Sequence, residues 1–183
     1  MSQEDLIQLL RKYKIPFESW GTGNSKPFEK FCSEINSSEA KLVERDNELF
    51  RLVSVVVMNV FYFNNNQHFK LKEDRQIYKD GRVVRRDLKD SLLEKLKPQE
   101  DPYSGALRAL REELGITTKV TLNDNGMTSE IVEGKSYPGL MNHGTLYNYE
   151  AILSDKEFKQ EGYIEIQDDK TSYFVWEQYR STL

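Results

Sequence analysis

The sequence predicts an α+β protein in which helices lie around a mixed β-sheet. Apolar residues recur at helical spacing near the N terminus and again around residue 110. The segments between these helices are rich in β-branched and aromatic residues and are separated by short turn signals. Such a pattern is typical of the α+β class or of a layered α/β sandwich.

Two amphipathic helices are predicted near the N terminus. The first has apolar residues at helical spacing and is expected to end at Pro16; its apolar positions are Leu6, Leu9, Leu10 and Tyr13. In the second they recur at i, i+3, i+4 and i+7, at Phe28, Phe31, Cys32 and Ile35. Residues 1–45 are therefore predicted to form an N-terminal helical extension, and residues 46–183 the main domain.

A long apolar segment then predicts the centre of a sheet. Residues 49–63, LFRLVSVVVMNVFYF, have apolar side chains at both odd and even positions, so both faces of a strand would be apolar. This is typical of a strand buried on both faces. A turn is predicted at residues 64–66, and a strand at residues 67–72. The Asp80-Gly81 pair predicts a hairpin.

The second half of the chain alternates between the two kinds of element. A helix is predicted at residues 103–114, followed by a strand at 118–122 and a polar loop at 123–130. A strand is predicted at residues 143–153 and a short helix at 155–160. Residues 171–177 are compatible with a strand or a helix.

Composition narrows the classes of function. The chain is 38% hydrophobic and 31% charged, as expected of a globular protein, and its net charge is -4. An acidic chain is not expected to bind nucleic acid in bulk or an anionic membrane. The single cysteine, Cys32, and an N terminus with acids but no basic segment predict a cytoplasmic protein.

The helix at residues 103–114 carries the main candidate site. Arg108 and Glu112 are spaced i, i+4 and can pair along one face. Glu112 and Glu113 can direct two carboxylates to one place, as a hard cation such as Mg²⁺ requires. The alternative is a charged helix face that contacts only solvent.

The segment from Glu94 to Ile116 resembles the Nudix box, G-x5-E-x7-R-E-U-x-E-E-x-G-U, where U is a bulky aliphatic residue. Seven of the nine specified positions match; they are Glu100, Arg108, Leu110, Glu112, Glu113, Gly115 and Ile116. Two positions depart from the pattern. Glu94 stands at the first glycine, and Ala109 at the glutamate that follows the arginine.

This resemblance implies a Nudix-like α/β/α sandwich with a mixed sheet. It also implies hydrolysis of a nucleoside diphosphate linked to another group, with Mg²⁺ or Mn²⁺ as cofactor. By position, Arg108, Glu112 and Glu113 are the expected catalytic residues, and Glu112 and Glu113 the expected metal ligands. Ala109 removes one family ligand, whereas the carboxylate of Glu94 can obstruct the site or replace that ligand.

Arg85 and Arg86 are the candidate substrate-binding residues. They belong to a basic cluster around the predicted hairpin, and guanidinium groups bind phosphates in a bidentate manner. In a regular strand they point to opposite faces, so at most one is expected to face a pocket. The alternative is a charged hairpin edge that prevents edge pairing.

Three functions remain open from the sequence. The first is a divergent Nudix hydrolase, and the second is a Nudix-like module that binds a nucleotide without hydrolysing it. The third is an interaction protein whose partner contacts the N-terminal helices. The candidates for a general base are His143, expected in a turn, and Glu150; Glu133 and Glu161 are equally possible.

Overall fold

The computed structural model describes residues 1–64, 67–86 and 88–178. Within these ranges the chain forms three α-helices and nine β-strands. The helices are α1 (Gln3–Lys12), α2 (Phe28–Asn36) and α3 (Pro102–Leu114). The strands are β1 (Lys41–Arg45), β2 (Glu48–Asn64), β3 (Gln67–Tyr78), β4 (Val83–Val84), β5 (Leu92–Lys95), β6 (Thr121–Glu133), β7 (Met141–Leu153), β8 (Tyr163–Ile166) and β9 (Lys170–Gln178).

The strands belong to one open sheet with the order β6-β7-β2-β3-β9-β8. Strands β1 and β5 pair with β2, and β4 pairs with β3. The predicted α+β class with a mixed sheet is confirmed. Among the described residues, no helix is both long enough and apolar enough to cross a bilayer.

The chain divides into two compact units. The first unit comprises Met1–Val55, Lys95–Glu100 and Met127–Leu146. It contains both predicted N-terminal helices, and α1 begins with a reciprocal capping box between Ser2 and Asp5. Its core residues are Leu6, Leu10, Phe17, Trp20, Phe31, Cys32, Leu49, Tyr137 and Leu140.

The second unit comprises residues 56–94, 101–126 and 147–183. Its described part contains the antiparallel ladder of β3 with β9 and of β9 with β8, against which α3 packs. Gly162 lies at φ +84°, and a Cβ there would stand only 2.0 Å from the carbonyl oxygen of Phe174. Glycine therefore permits the close approach of the chain to β9 just before β8 begins.

Several predicted elements have the right type. Helix α1 ends at Lys12, before Pro16, and the Asp80-Gly81 turn joins β3 to β4 as expected. Residues 171–177 lie in strand β9. The turn predicted at residues 64–66 falls largely outside the described residues. The predicted division of the chain at residue 45 stays a prediction.

Lys41–Arg45, for which no helix or strand was predicted, forms strand β1 and pairs with β2. A predicted loop and a predicted helix were wrong. The loop predicted at residues 123–130 lies inside β6, whose side chains are nearly all exposed. Because β6 stands at one end of the strand order, burial does not require apolar residues there, and its composition resembles that of a loop.

The helix predicted at residues 155–160 is a single turn. Ser154 accepts the backbone N–H groups of Glu157 and Phe158, both at 3.1 Å. The ring of Phe158 then stacks on Tyr62 with a centroid distance of 3.8 Å. This aromatic contact fixes Phe158 after one turn. The local sequence does not indicate it, because Tyr62 lies on a distant strand.

Candidate functional site

Local signals set both ends of α3. At its start the Asp101 side chain accepts the backbone N–H of Ser104 at 3.0 Å, and Pro102 occupies the first turn. At its end Gly115 has a left-handed conformation, with φ 67°, and its N–H bonds to the carbonyl of Arg111. The predicted helix is thereby confirmed with nearly its predicted bounds.

Arg108 is a buried arginine held by two carboxylates. Only 5% of the residue is exposed. Its Nη1 donates to Oε1 of Glu94, at the end of β5, and to Oε2 of Glu112 at 3.2 Å. The predicted i, i+4 pair of Arg108 with Glu112 is confirmed. Because a buried guanidinium must be paired, this bridge also fixes the position of α3 relative to Glu94.

Glu113 has a different environment from Glu112. Its Oε1 is buried and has no hydrogen-bond partner in the part of the chain that the structure describes. Burial, as the largest cause, and the charges of Glu165, Glu94 and Glu73 together raise the pKa of Glu113 to about 8. Arg86 acts in the opposite direction. Glu113 is therefore the centre of an acidic cluster, defined as Glu73, Glu94, Glu113 and Glu165.

The two candidate substrate-binding arginines have different partners. Arg86 holds Glu73 through both Nε, at 2.7 Å, and Nη2, and its charge acts on Glu113. Arg85 is more exposed and pairs with Asp74. The structure thus brings Arg86 to the acidic cluster. Arg85 instead forms an ion pair with Asp74, the residue that follows Glu73 on β3.

The sequence did not identify Glu73 or Glu165 as site residues. Glu165 lies in β8 between Ile164 and Ile166, which are 61% and 82% exposed. A strand with exposed isoleucines and a less exposed glutamate reverses the usual alternation of a half-buried strand. From sequence alone, Glu165 would be assigned to the solvent face.

The structure does not assign a role to His143 or to Glu150. His143 lies inside β7 and not in the predicted turn, because the strand continues through Gly144 to Leu153. Glu150 lies on the same strand and is partly buried. Their predicted involvement as a base stays a prediction.

The residues around Glu113 have the oxygen atoms that a divalent cation prefers, but few of these oxygens are available as ligands. An orphaned, buried carboxylate oxygen among other acids is a favourable partner for a hard cation. However, Arg108 already occupies Glu94 and Glu112, and Ala109 offers no ligand. No group of three His, Cys, Asp or Glu side chains within the described ranges is arranged around a metal position. The set suits one hydrated ion held by few side chains.

Glu113→Gln is expected to stabilise the protein at neutral pH. A carboxyl whose pKa is raised on folding, here to about 8, makes folding less favourable as pH rises from about 4.5 towards 8. At pH 7 the variant should unfold with a free energy about 1–3 kcal/mol higher than that of the parent. Urea unfolding in metal-free buffer at pH 4 and pH 7 measures this difference.

The matched control is Glu112→Gln, on the adjacent and more exposed residue of the same helix. It removes the salt bridge with Arg108, so its effect on stability should be neutral or destabilising. An equal loss of stability in both variants at pH 7 would contradict the conclusion that the buried Glu113 carboxyl destabilises the folded protein.

Comparisons with known proteins add the following findings. No family model matches the sequence, and a search of curated proteins found no match. Solved structures with a similar fold include an Ap4A hydrolase of C. elegans, at 14% identity and a TM-score of 0.41, covering 69% of this chain and 80% of the other.

Two further solved structures are similar. One is the NUDIX domain of Shewanella oneidensis NrtR complexed with ADP ribose, at 14% identity and a TM-score of 0.42, covering 69% of this chain and 73% of the other. The other is a MutT/nudix family protein from Enterococcus faecalis, at 16% identity and a TM-score of 0.45, covering 82% of this chain and 50% of the other. A functional assignment therefore depends on the residues of the site.

Proposed function

We propose that this chain is a divergent Nudix-type hydrolase that cleaves a nucleoside diphosphate-linked substrate with Mg²⁺ or Mn²⁺. The observation that carries the proposal is Glu113, at the centre of an acidic cluster on the helix that resembles the Nudix box. Its buried Oε1 has no hydrogen-bond partner among the described residues. Keeping such a group in a folded protein is costly, and groups of this kind are concentrated at functional sites.

Each residue of the site has a proposed part. Glu112 and Glu113 hold the cation, and Glu94 contributes a carboxylate from β5. A bound cation would polarise the phosphoryl oxygens of the substrate. Arg108 positions Glu94 and Glu112 through the hydrogen bonds that it donates to them. Arg86, anchored by Glu73, supplies positive charge for a phosphate group.

A second function is favoured by a specific observation. Arg108 neutralises Glu94 and Glu112, and the position next to it is Ala109. With this charge balance the site can bind a nucleotide without a catalytic metal. A panel of nucleoside diphosphate derivatives, including ADP ribose and Ap4A, distinguishes the two functions when released nucleotide is measured with Mg²⁺ or Mn²⁺. Turnover supports the hydrolase, and thermal stabilisation without turnover supports the binding module.

The double variant Glu112→Gln/Glu113→Gln is expected to abolish Mn²⁺ binding while the chain stays folded. Glutamine keeps the shape of glutamate and removes the charge that a hard cation requires. Titration calorimetry with Mn²⁺ measures the loss, and circular dichroism verifies the fold. The control, Glu29→Gln/Glu130→Gln, removes two carboxylates from exposed positions on α2 and β6. Equal Mn²⁺ affinity in the parent and the site variant would mean that the pair is only a charged helix face.

A further inference from the structure

Strand β6 forms a long and exposed edge of the sheet. It extends from Thr121 to Glu133 and stands at one end of the strand order, where β7 is its neighbour. No other strand of the described ranges lies on its second side. Strand β8, at the opposite end of the order, has only four residues. Proteins commonly protect an edge by keeping it short or by placing lysine or proline on it, but β6 is long and contains neither residue.

The part of β6 that lies in the first unit has two chemically different faces. This part, residues 127–133, is called the β6 edge below, and it follows Gly126, whose φ of +83° interrupts the regular strand. Because successive side chains of a strand point to opposite faces, Met127 and Ile131 share one face. They are 63% and 51% exposed. Glu130 lies on the other face, beside the less exposed Val132.

The charged residues of β6 are all acidic. They are Asp124, Glu130 and Glu133, and the nearest base after the β6 edge, Lys135, lies in the turn beyond the strand. Glu133 accepts the backbone N–H of Gly139 at 2.8 Å, so it helps to close the turn into β7. Two copies of the chain that paired along β6 would bring six carboxylates together, and like charges on paired strands are destabilising. The charge of this edge therefore favours a cationic partner over a second copy.

We propose that the β6 edge binds an extended segment of another protein in which apolar and basic residues alternate. The segment adds a strand beside β6, and hydrogen bonds between the two backbones supply the affinity. Its own side chains also alternate between the two faces, so those beside Met127 and Ile131 are apolar. Those beside Glu130 are lysine or arginine. This interaction is independent of the hydrolase and of the binding module, because it uses no residue of α3.

A labelled synthetic peptide of alternating lysine and valine, about seven residues long to match the β6 edge, tests the proposal. Fluorescence anisotropy with the full chain should show saturable binding, and hydrogen exchange of the protein amides should slow within residues 127–133. A second peptide carries N-methyl groups on two consecutive central residues. It keeps the charge and the side chains but cannot pair regularly along either of its edges, so it should bind about tenfold more weakly.

Matched variants of the protein locate the contact. Glu130→Lys reverses the charge beside the basic residues of the peptide and should weaken binding about five- to tenfold. Glu29→Lys makes the same change at an exposed position on α2 and should bind the peptide like the parent, as should Glu113→Gln. Equal affinity for the two peptides, or unchanged affinity in Glu130→Lys, overturns the proposal. So does a dimer in sedimentation that the peptide displaces, since a second copy would then occupy the edge.

Discussion

Glu34→Gln is expected to destabilise the protein by about 3–5 kcal/mol at pH 7, because breaking a buried ion pair leaves its partners uncompensated. The carboxylate is fully buried and contacts Lys26, Lys95 and Arg51. Glutamine keeps the shape but cannot neutralise three cations. Arg51, itself buried, cannot turn towards water to recover hydration.

The same residue predicts a dependence of stability on pH. Burial opposes ionisation of Glu34, but hydrogen bonds and charges of Lys95 and Lys26 prevail and lower its pKa from 4.5 to about 2. A carboxyl with a lowered pKa stabilises the folded state above its unfolded pKa, and this contribution disappears as pH falls from about 4.5 to about 2. The parent should lose about 3 kcal/mol over this interval, corresponding to the shift in pKa.

Urea unfolding at a series of pH values measures both effects. In Glu34→Gln the free energy of unfolding should decrease less between pH 4.5 and pH 2 than in the parent, because the Glu34 carboxyl no longer contributes. Glu29→Gln, an exposed substitution in the first turn of the same helix, should change stability by less than about 0.5 kcal/mol. If Glu34→Gln is as stable as Glu29→Gln at pH 7, the ion cluster does not stabilise the first unit.

The helices of this fold could be predicted from local pattern, and parts of the sheet could not. The spacing of apolar residues predicts α1 and α2, and the Asp101 cap and Gly115 mark the two ends of α3. Strand β6 was mistaken for a loop since an exposed strand need not alternate. The single turn after Ser154 was mistaken for a helix because its end depends on a contact with Tyr62.

Part of the candidate site could likewise be predicted from local pattern, and part could not. Arg108 and Glu112 are four residues apart on one helix, so their pairing follows from helical geometry. Glu73 and Glu165 reach Glu113 only through the order of β3, β9 and β8 and the packing of α3 on β8. The buried ion cluster of Glu34 likewise joins residues far apart in sequence. Neither arrangement leaves a periodic signal in the chain.

Ala109→Glu is expected to have a large effect that depends on metal. Ala109 is 1% exposed and lies one turn before Glu113 on α3. A glutamate there restores the residue of the Nudix box, but its carboxylate would be buried beside an acidic cluster. In metal-free buffer the variant should lose about 3 kcal/mol or more of stability, since neither burial nor the neighbouring acids favour the charge.

A divalent cation should reverse much of that loss. With the added carboxylate, three side chains of the box can share one ion, so Mn²⁺ should stabilise the variant more than the parent, and pyrophosphatase activity should appear or rise. Ala109→Gln is the control: it has the same bulk without the charge, and Mn²⁺ should not rescue it. Melting temperatures of both variants, in chelator and in Mn²⁺, make the comparison. If Mn²⁺ rescues neither variant, the carboxylates around α3 do not converge on a cation, and metal-independent nucleotide binding is the function that this site supports.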